Sequence, residues 1–211
     1  MKNKEKEYSP FGGNKGDLVI INYGAGNIQS IKFALQRIGF EAILSDNAEE
    51  IQQADKVIFP GVGEASSAMN KLKATGLDLL IPKLKQPVLG ICLGMQLMCM
   101  HTEEGNTDGL KIFNTRVKRF SNQVKVPQIG WNQISELKSD LFNGIKEEEF
   151  MYLVHSFYAE PNSEMIAQTN YELNYASALR KNNFYGVQFH PEKSSLAGEK
   201  ILENFLKLEN S

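Results

Sequence analysis

The stretch Pro87-Val88-Leu89-Gly90-Ile91-Cys92-Leu93-Gly94-Met95-Gln96 constrains this chain more than any other. It reads as a short buried strand, a sharp turn and a helix. Cys92 sits at the turn, with Gly90 and Gly94 two residues to either side. This is the thiol version of the strand–turn–helix nucleophile elbow, G-x-C-x-G in place of G-x-S-x-G. A residue held in so tight a turn crowds its backbone neighbours, and only glycine lacks the Cβ that would collide. The turn also aims the sulfur at the first N–H groups of the following helix, whose partial positive charge favours a thiolate. Taken alone, such a cysteine is more often an inert core thiol.

An elbow needs a sheet to stand on, and the N-terminal half supplies the pattern for one. Leu18 to Ile21, Ala42 to Leu44, Val57 to Phe59 and Val88 to Ile91 are apolar runs of strand length. Between them lie helical patterns: Ile28, Ile31, Leu35 and Ile38 ending at Gly39, a short helix through Ala54 capped by Asp46, and further helices at 64–74 and 77–84. Strands alternating with helices argue for a parallel α/β sheet. From about Lys111 the texture changes to short alternating segments at 116–120, 128–133, 150–154, 165–169, 176–179 and 184–189, which should add antiparallel strands. A helix at 198–208 closes the chain. The expected fold class is therefore α/β: an open, mixed, mostly parallel central sheet flanked by helices, with antiparallel additions in the C-terminal half. Residues 1–16 are polar and aperiodic and read as a flexible tail, leaving 17–211 as one domain.

Composition narrows the class. With 42% hydrophobic and 23% charged residues the chain is an ordinary globule, and a net charge of −2 gives no electrostatic case for nucleic acid or a membrane surface. There is no apolar run of the roughly 18 residues that a membrane-spanning helix needs. The charged Met1 to Glu7 does not read as a secretory signal, and two cysteines make no disulfide framework. A reducing cytoplasm is the expected compartment. Cys99 reads as a core thiol two helical turns beyond Cys92. His101 and His155 lack metal-ligand spacing to the cysteines, so no metal site and no cofactor are expected.

A nucleophile needs a base. Gly186-Val187-Gln188-Phe189-His190-Pro191-Glu192 is an apolar strand ending in His-Pro-Glu. Pro191 biases His190 towards an extended backbone, and residues two apart on an extended segment point to the same side. Glu192 can then orient the imidazole while the other ring nitrogen faces Cys92. That is the nucleophile–base–orienter logic of a catalytic triad.

With these segments in view, the chain resembles the class I glutamine amidotransferases, whose cysteine elbow and distant His-x-Glu hydrolyse glutamine. The resemblance runs from Leu18 to the C-terminus through Tyr23 to Asn27, Pro60 to Gly63, Gly90 to Gln96, Val126 to Asn132, Val154 to Phe157 and Gln188 to Ser194. It implies a flavodoxin-like sheet and a catalytic set of Cys92, His190 and Glu192. It implies an oxyanion hole from Gly61, Val62, Gly63 and Leu93, and a substrate pocket lined by Gln96, His155, Ser156 and Phe157. Phe157 stands where the family often has tyrosine, so any side-chain hydrogen bond from that position is lost. Gly24-Ala25-Gly26 is not a dinucleotide fingerprint, because Gln29 replaces its third glycine.

Gly130-Trp131-Asn132 and Lys193 are similar to the branch of the family that serves histidine biosynthesis. That branch implies a heterodimer with a (β/α)₈-barrel cyclase subunit that takes up the ammonia, and a contact surface including Asn27, Ser30, Trp131 and Lys193. Asn27 also reads as a helix cap and Trp131 as a core residue. Gly63-Glu64-Ala65-Ser66 faintly resembles a turn of the branch that feeds pyridoxal phosphate synthesis. A non-catalytic module on the same fold, or a thiol peptidase, are the remaining alternatives.

Overall fold

A computed structural model describes residues 17–209 of the chain. The tail expected at 1–16 lies outside the described residues. The strands and helices run β1 (Leu18–Ile21), α1 (Ile28–Arg37), β2 (Ile43–Ser45), α2 (Ala48–Gln53), β3 (Lys56–Phe59), α3 (Ala65–Thr75), α4 (Leu77–Leu80), β4 (Val88–Ile91) and α5 (Leu93–Leu97). They continue with β5 (His101–Thr102), β6 (Thr107–Asp108), β7 (Arg116–Arg119), β8 (Gln128–Ile134), β9 (Glu149–His155), β10 (Phe157–Ala159), β11 (Met165–Asn170), β12 (Asn174–Lys181), β13 (Phe184–Val187) and α6 (Ser195–Lys207).

The main sheet has the order β2-β1-β3-β4-β13-β12-β10-β7-β5-β6, with β11 paired to the other side of β12. From β2 to β13 every pairing is parallel. Beyond β13 the sheet is antiparallel except between β5 and β7. Strands β1, β4 and β13 are buried along their whole length. Continuous burial is what a parallel sheet covered on both faces demands, and it explains their unbroken apolar runs. Side chains alternate between two cores. Val19, Ile21, Val57, Phe59 and Val88 pack with Ala68, Met69 and Leu72 of α3. Leu18, Ile20, Ile58, Leu89 and Ile91 pack with Ile31 and Leu35 of α1 and Ile201, Leu202 and Phe205 of α6.

The sequence expectations hold for the sheet and its class, with local corrections. Strands β8 and β9 do not extend the main sheet. Among the described residues they form strand pairs only with each other, over seven residue pairs, and are tied to β11 by the Ser135–Gln168 bridge and by a hydrogen bond from Asn132 Nδ2 to Asn170 O. The cap of α2 is Asn47, whose Oδ1 accepts from the N–H groups of Glu49 (2.8 Å) and Glu50 (3.1 Å), rather than Asp46. The helix after the elbow is a single turn and stops at Leu97, so Cys99 and His101 lie beyond it. It stops because the returning chain takes over its carbonyls: Leu110 N–H bonds Leu97 O at 2.7 Å, and Ile112 and Phe113 both bond Met98 O at 2.9 Å. Cys99 is nonetheless a fully buried thiol, as expected, and burial pushes its ionisation far up.

Candidate active site

The carboxyl ends of β1, β3, β4 and β13 lie side by side because these strands are parallel neighbours, the position where open α/β sheets gather their sites. Cys92 follows β4 with φ 54° and ψ −111°, a region that non-glycine residues rarely occupy. The glycines around it are steric necessities. A Cβ on Gly94 would stand 2.0 Å from Phe59 O, and one on Gly90 would stand 2.9 Å from Met95 N. The elbow helix is thus pressed directly on the end of β3. Its single turn leaves only a small dipole for the sulfur to use.

His190 lies beyond β13, and Pro191 starts a single 3₁₀ turn, 191–193, immediately after it. The relation of His190 to Glu192 is therefore not that of two strand residues on one side; the turn folds Glu192 back under the ring. Nδ1 of His190 lies 2.8 Å from Oε1 of Glu192, and both side chains are almost wholly buried, at 3% and 1% exposure. Among the described residues the opposite nitrogen, Nε2, has no hydrogen-bond partner, and both His190 and Cys92 line one cavity of about 580 Å³. Burial works against charge on the imidazole. The negative charge of the Cys92 sulfur and its approach to the ring, then the hydrogen bond to Glu192 and that carboxylate's charge, outweigh it and raise the pKa to about 10. The sulfur acts on Nε2 through charge, without a well-formed hydrogen bond.

The remaining expected residues are placed as follows. Val62, Gly63, Leu93, Gln96, His155, Ser156 and Phe157 line the same cavity, together with Asn27 and Lys193. Gly61 does not line it and is instead a packing position: a Cβ there would meet Gly94 N at 2.6 Å. Gly63, at φ 99°, has open space around it, so the loop is pinned at one end and free at the other. Gln96, in α5, is buried; its Nε2 donates to Phe157 O (2.9 Å) and to Gln188 Oε1 (2.8 Å). His155 Nδ1 also donates to Phe157 O, at 2.7 Å, while its Nε2 lies 3.2 Å from the Tyr175 hydroxyl. Burial lowers its pKa to about 4, so the ring is neutral at pH 7.

Ser30 and Trp131 stand away from the cavity. The Ser30 hydroxyl donates to Asn27 Oδ1 at 3.0 Å, so the Asn27 side chain caps no backbone N–H although the residue occupies the cap position of α1. Trp131 is not core. It is 52% exposed, packs edge-on against Tyr152 at 6.1 Å, and borders a second depression with Phe150 and Ile145. Lys193 Nζ lies 5.8 Å from the centre of the Tyr152 ring. Ile129, Trp131, Phe150, Tyr152 and Val154 share the outward face of β8 and β9, and Val154 carries that face into the cavity.

Three further residues belong to the site. Glu104 lines the cavity, its Oε2 accepting from Ala65 N–H at 2.9 Å, and burial lifts its carboxyl above the ordinary value. Tyr23 is buried and donates its hydroxyl to Pro60 O at 2.8 Å, which holds the start of the Gly61–Gly63 loop. Gln188 is fully buried with Nε2 3.7 Å from the Cys92 sulfur. The Tyr23 and Gln188 segments were visible in the sequence, but nothing in spacing marks a side chain that acts by reaching into another loop. Glu104 follows a segment whose path only the tertiary fold fixes.

A cysteine on a strained elbow beside a carboxylate-oriented histidine, on a parallel sheet, is the arrangement of thiol-dependent amide hydrolases. The chain belongs to the glutamine amidotransferase class-I family, whose family model matches residues 19–208. Within it, the chain is 55% identical over 194 residues to "Imidazole glycerol phosphate synthase subunit HisH" of Bacteroides thetaiotaomicron, an alignment covering 90% of this chain and 99% of that protein. It is 43% identical over 193 residues to the protein of the same description from Pasteurella multocida, covering 90% and 98%. The fold is shared with a chain described as a GMP synthase subunit from Thermoplasma acidophilum (TM-score 0.71, 18% identity, 92% and 94% covered). It is also shared with the structure of PurLQS from Thermotoga maritima (TM-score 0.70, 16% identity, 91% and 98% covered).

Proposed function

We propose that this chain is the glutaminase subunit of an imidazole glycerol phosphate synthase. It hydrolyses L-glutamine to glutamate and ammonia. The ammonia passes to a (β/α)₈-barrel cyclase subunit in a heterodimer, which makes imidazole glycerol phosphate and aminoimidazole carboxamide ribotide in the histidine pathway of the cytoplasm. The observation that carries the reading is the imidazole of His190, tied at Nδ1 to Glu192 and unpaired at Nε2 in the cavity that Cys92 lines.

The chemistry follows from the site. Cys92, paired as thiolate with the imidazolium of His190, attacks the carboxamide carbon of glutamine. The C=O electrons move onto oxygen, which needs N–H donors to hold its charge. The Leu93 amide and the Val62–Gly63 end of the loop border the cavity and suit that task. His190 Nε2–H gives its proton to the departing nitrogen, ammonia leaves, and a thioester remains. Water, deprotonated by the now neutral imidazole, attacks the thioester and releases glutamate. Glu104 is a carboxylate on the cavity wall and suits the α-ammonium of the substrate. Gln96 has both N–H groups committed within the protein, so only its Oε1 remains for substrate.

The outward face of β8 and β9, with Trp131 and the neighbouring Lys193, is the surface offered to the barrel, and Asn27, just before α1, and Ser30, in its first turn, complete the proposed contact set. The test is glutamate release from glutamine by the chain alone and assembled with a cyclase barrel subunit. Assembly should raise turnover strongly, and Cys92→Ala should abolish it. Turnover that survives Cys92→Ala in the complex would end the catalytic assignment.

A further inference from the structure

The hydrogen bonds around Phe157 have a forced polarity. A backbone carbonyl can only accept, so the group of Gln96 lying 2.9 Å from Phe157 O is its NH₂. The same nitrogen lies 2.8 Å from the Gln188 side chain, which must therefore present its oxygen there. The other arm of the Gln188 amide, its NH₂, is left 3.7 Å from the Cys92 sulfur. Reversing the Gln188 amide would set two NH₂ groups against each other and turn a carbonyl oxygen towards a sulfur that must become negative. Both changes are penalised at a residue with no exposure to water. One carbonyl thus fixes two amides in sequence and puts an N–H donor on the nucleophile.

Gln188 can make this contact because of its place in the chain. It directly follows β13, and its backbone N–H bonds Ser177 O on β12 at 2.8 Å. The Cys92 N–H in turn bonds Val187 O at 2.8 Å, so the elbow and the base of the Gln188 side chain are stitched together at adjacent residues.

We propose that Gln188 is a positioning residue for the nucleophile: it holds an N–H donor against the Cys92 sulfur, in an orientation set through Gln96 by the carbonyl of Phe157. The proposal rests on Cys92 being the nucleophile of the function given above. Gln188 stabilises the thiolate over the thiol and fixes the rotamer from which the sulfur attacks. Hydrogen bonds to a charged group are the stronger kind, and losing one here should shift the titration of the sulfur by about one pH unit.

The experiment measures the rate of iodoacetamide alkylation against pH, with the chain assembled with its barrel subunit. Cys99 is fully buried, and alkylation is read on the Cys92 peptide by mass spectrometry, apart from any cysteine of the barrel subunit. In Gln188→Met, which keeps length and removes the donor, the alkylation midpoint moves up by about one unit. The glutaminase kcat falls about tenfold, with a much smaller change in KM. If Gln188→Met does not fold, Gln188→Glu has the shape of the parent; its carboxylate sets an acceptor against the sulfur and moves the midpoint further in the same direction. An alkylation profile unchanged in a folded variant overturns the proposal even if kcat falls, because a packing defect alone lowers turnover without changing the sulfur's affinity for a proton. Alkylation does not depend on turnover. A shifted profile in a complex that releases no ammonia therefore supports the positioning role and refutes the glutaminase reading instead.

Discussion

The two histidines of the cavity meet the same burial, which disfavours charge on both rings, yet they end with opposite shifts. His190 sits against negative partners and is held protonated, whereas burial, with the charge of His190 added to it, outweighs the hydrogen bond to Phe157 O and holds His155 neutral. For His155 the folded pKa, about 4, lies below the ordinary 6.5. Its contribution to stability is complete above pH 6.5 and is lost as the pH falls through 4. Between those limits the unfolded chain takes up a proton that the folded one refuses, and unfolding free energy should drop by about 1.4 kcal/mol per pH unit from this group. Urea titrations of the protein from pH 7 to 4 measure the slope. In His155→Gln that slope should shrink by about one proton, and an identical slope in the variant would refute the account. Of the candidate site, Cys92, His190 and Glu192 were legible in the sequence because the roles proposed for them need residue types that are rare in combination. Gln188, Glu104 and Tyr23 were not, because glutamine, glutamate and tyrosine are common and theirs is a matter of placement.

At the scale of elements, the elbow is a three-body contact between β4, α5 and the end of β3, and its glycines divide into two kinds. Gly94 has no room: an added methyl would lie 2.0 Å from Phe59 O, a rigid backbone atom. Gly63 has room but an unfavourable φ of 99°. Gly94→Ala should therefore cost at least the ~3 kcal/mol at the upper end of overpacking. Gly63→Ala should cost only the ~1–2 kcal/mol of a left-handed alanine. Thermal melts of the two variants check the order, and equal losses would show that the β3 end yields more easily than its packing implies. The parallel strands were legible because strands covered on both faces carry unbroken apolar runs. The alternating pattern of β8 and β9 was equally visible, but alternation reports only that one face is buried and says nothing of which sheet a strand joins. The length of α5 was hidden too, since its end is set by hydrogen bonds from 110 to 113, far beyond any local signal.

Over the whole molecule, the apolar stripe of Ile129, Trp131, Phe150 and Tyr152 is the feature that folding of the single chain leaves unexplained. Ile129 and Trp131 are 60% and 52% exposed, so removing the indole should change the stability of the free chain by no more than ~0.5 kcal/mol. If the barrel subunit seats there, Trp131→Ala should weaken assembly by ~2 kcal/mol or more, roughly thirtyfold in Kd, as a buried aromatic anchor does. Calorimetric titration of the variant against the barrel subunit, beside a melt of the free variant, separates the two effects. An unchanged Kd would move the interface elsewhere.

The outward face of the β8–β9 pair does not end at the cavity; through Val154 it becomes the cavity's wall. Whatever lies over that face also forms a roof above the sulfur. If the cover is the proposed barrel subunit, a small neutral product released there passes into that subunit before it meets bulk water, and the doorway of the reaction chamber and the grip on the partner are then built from the same two strands.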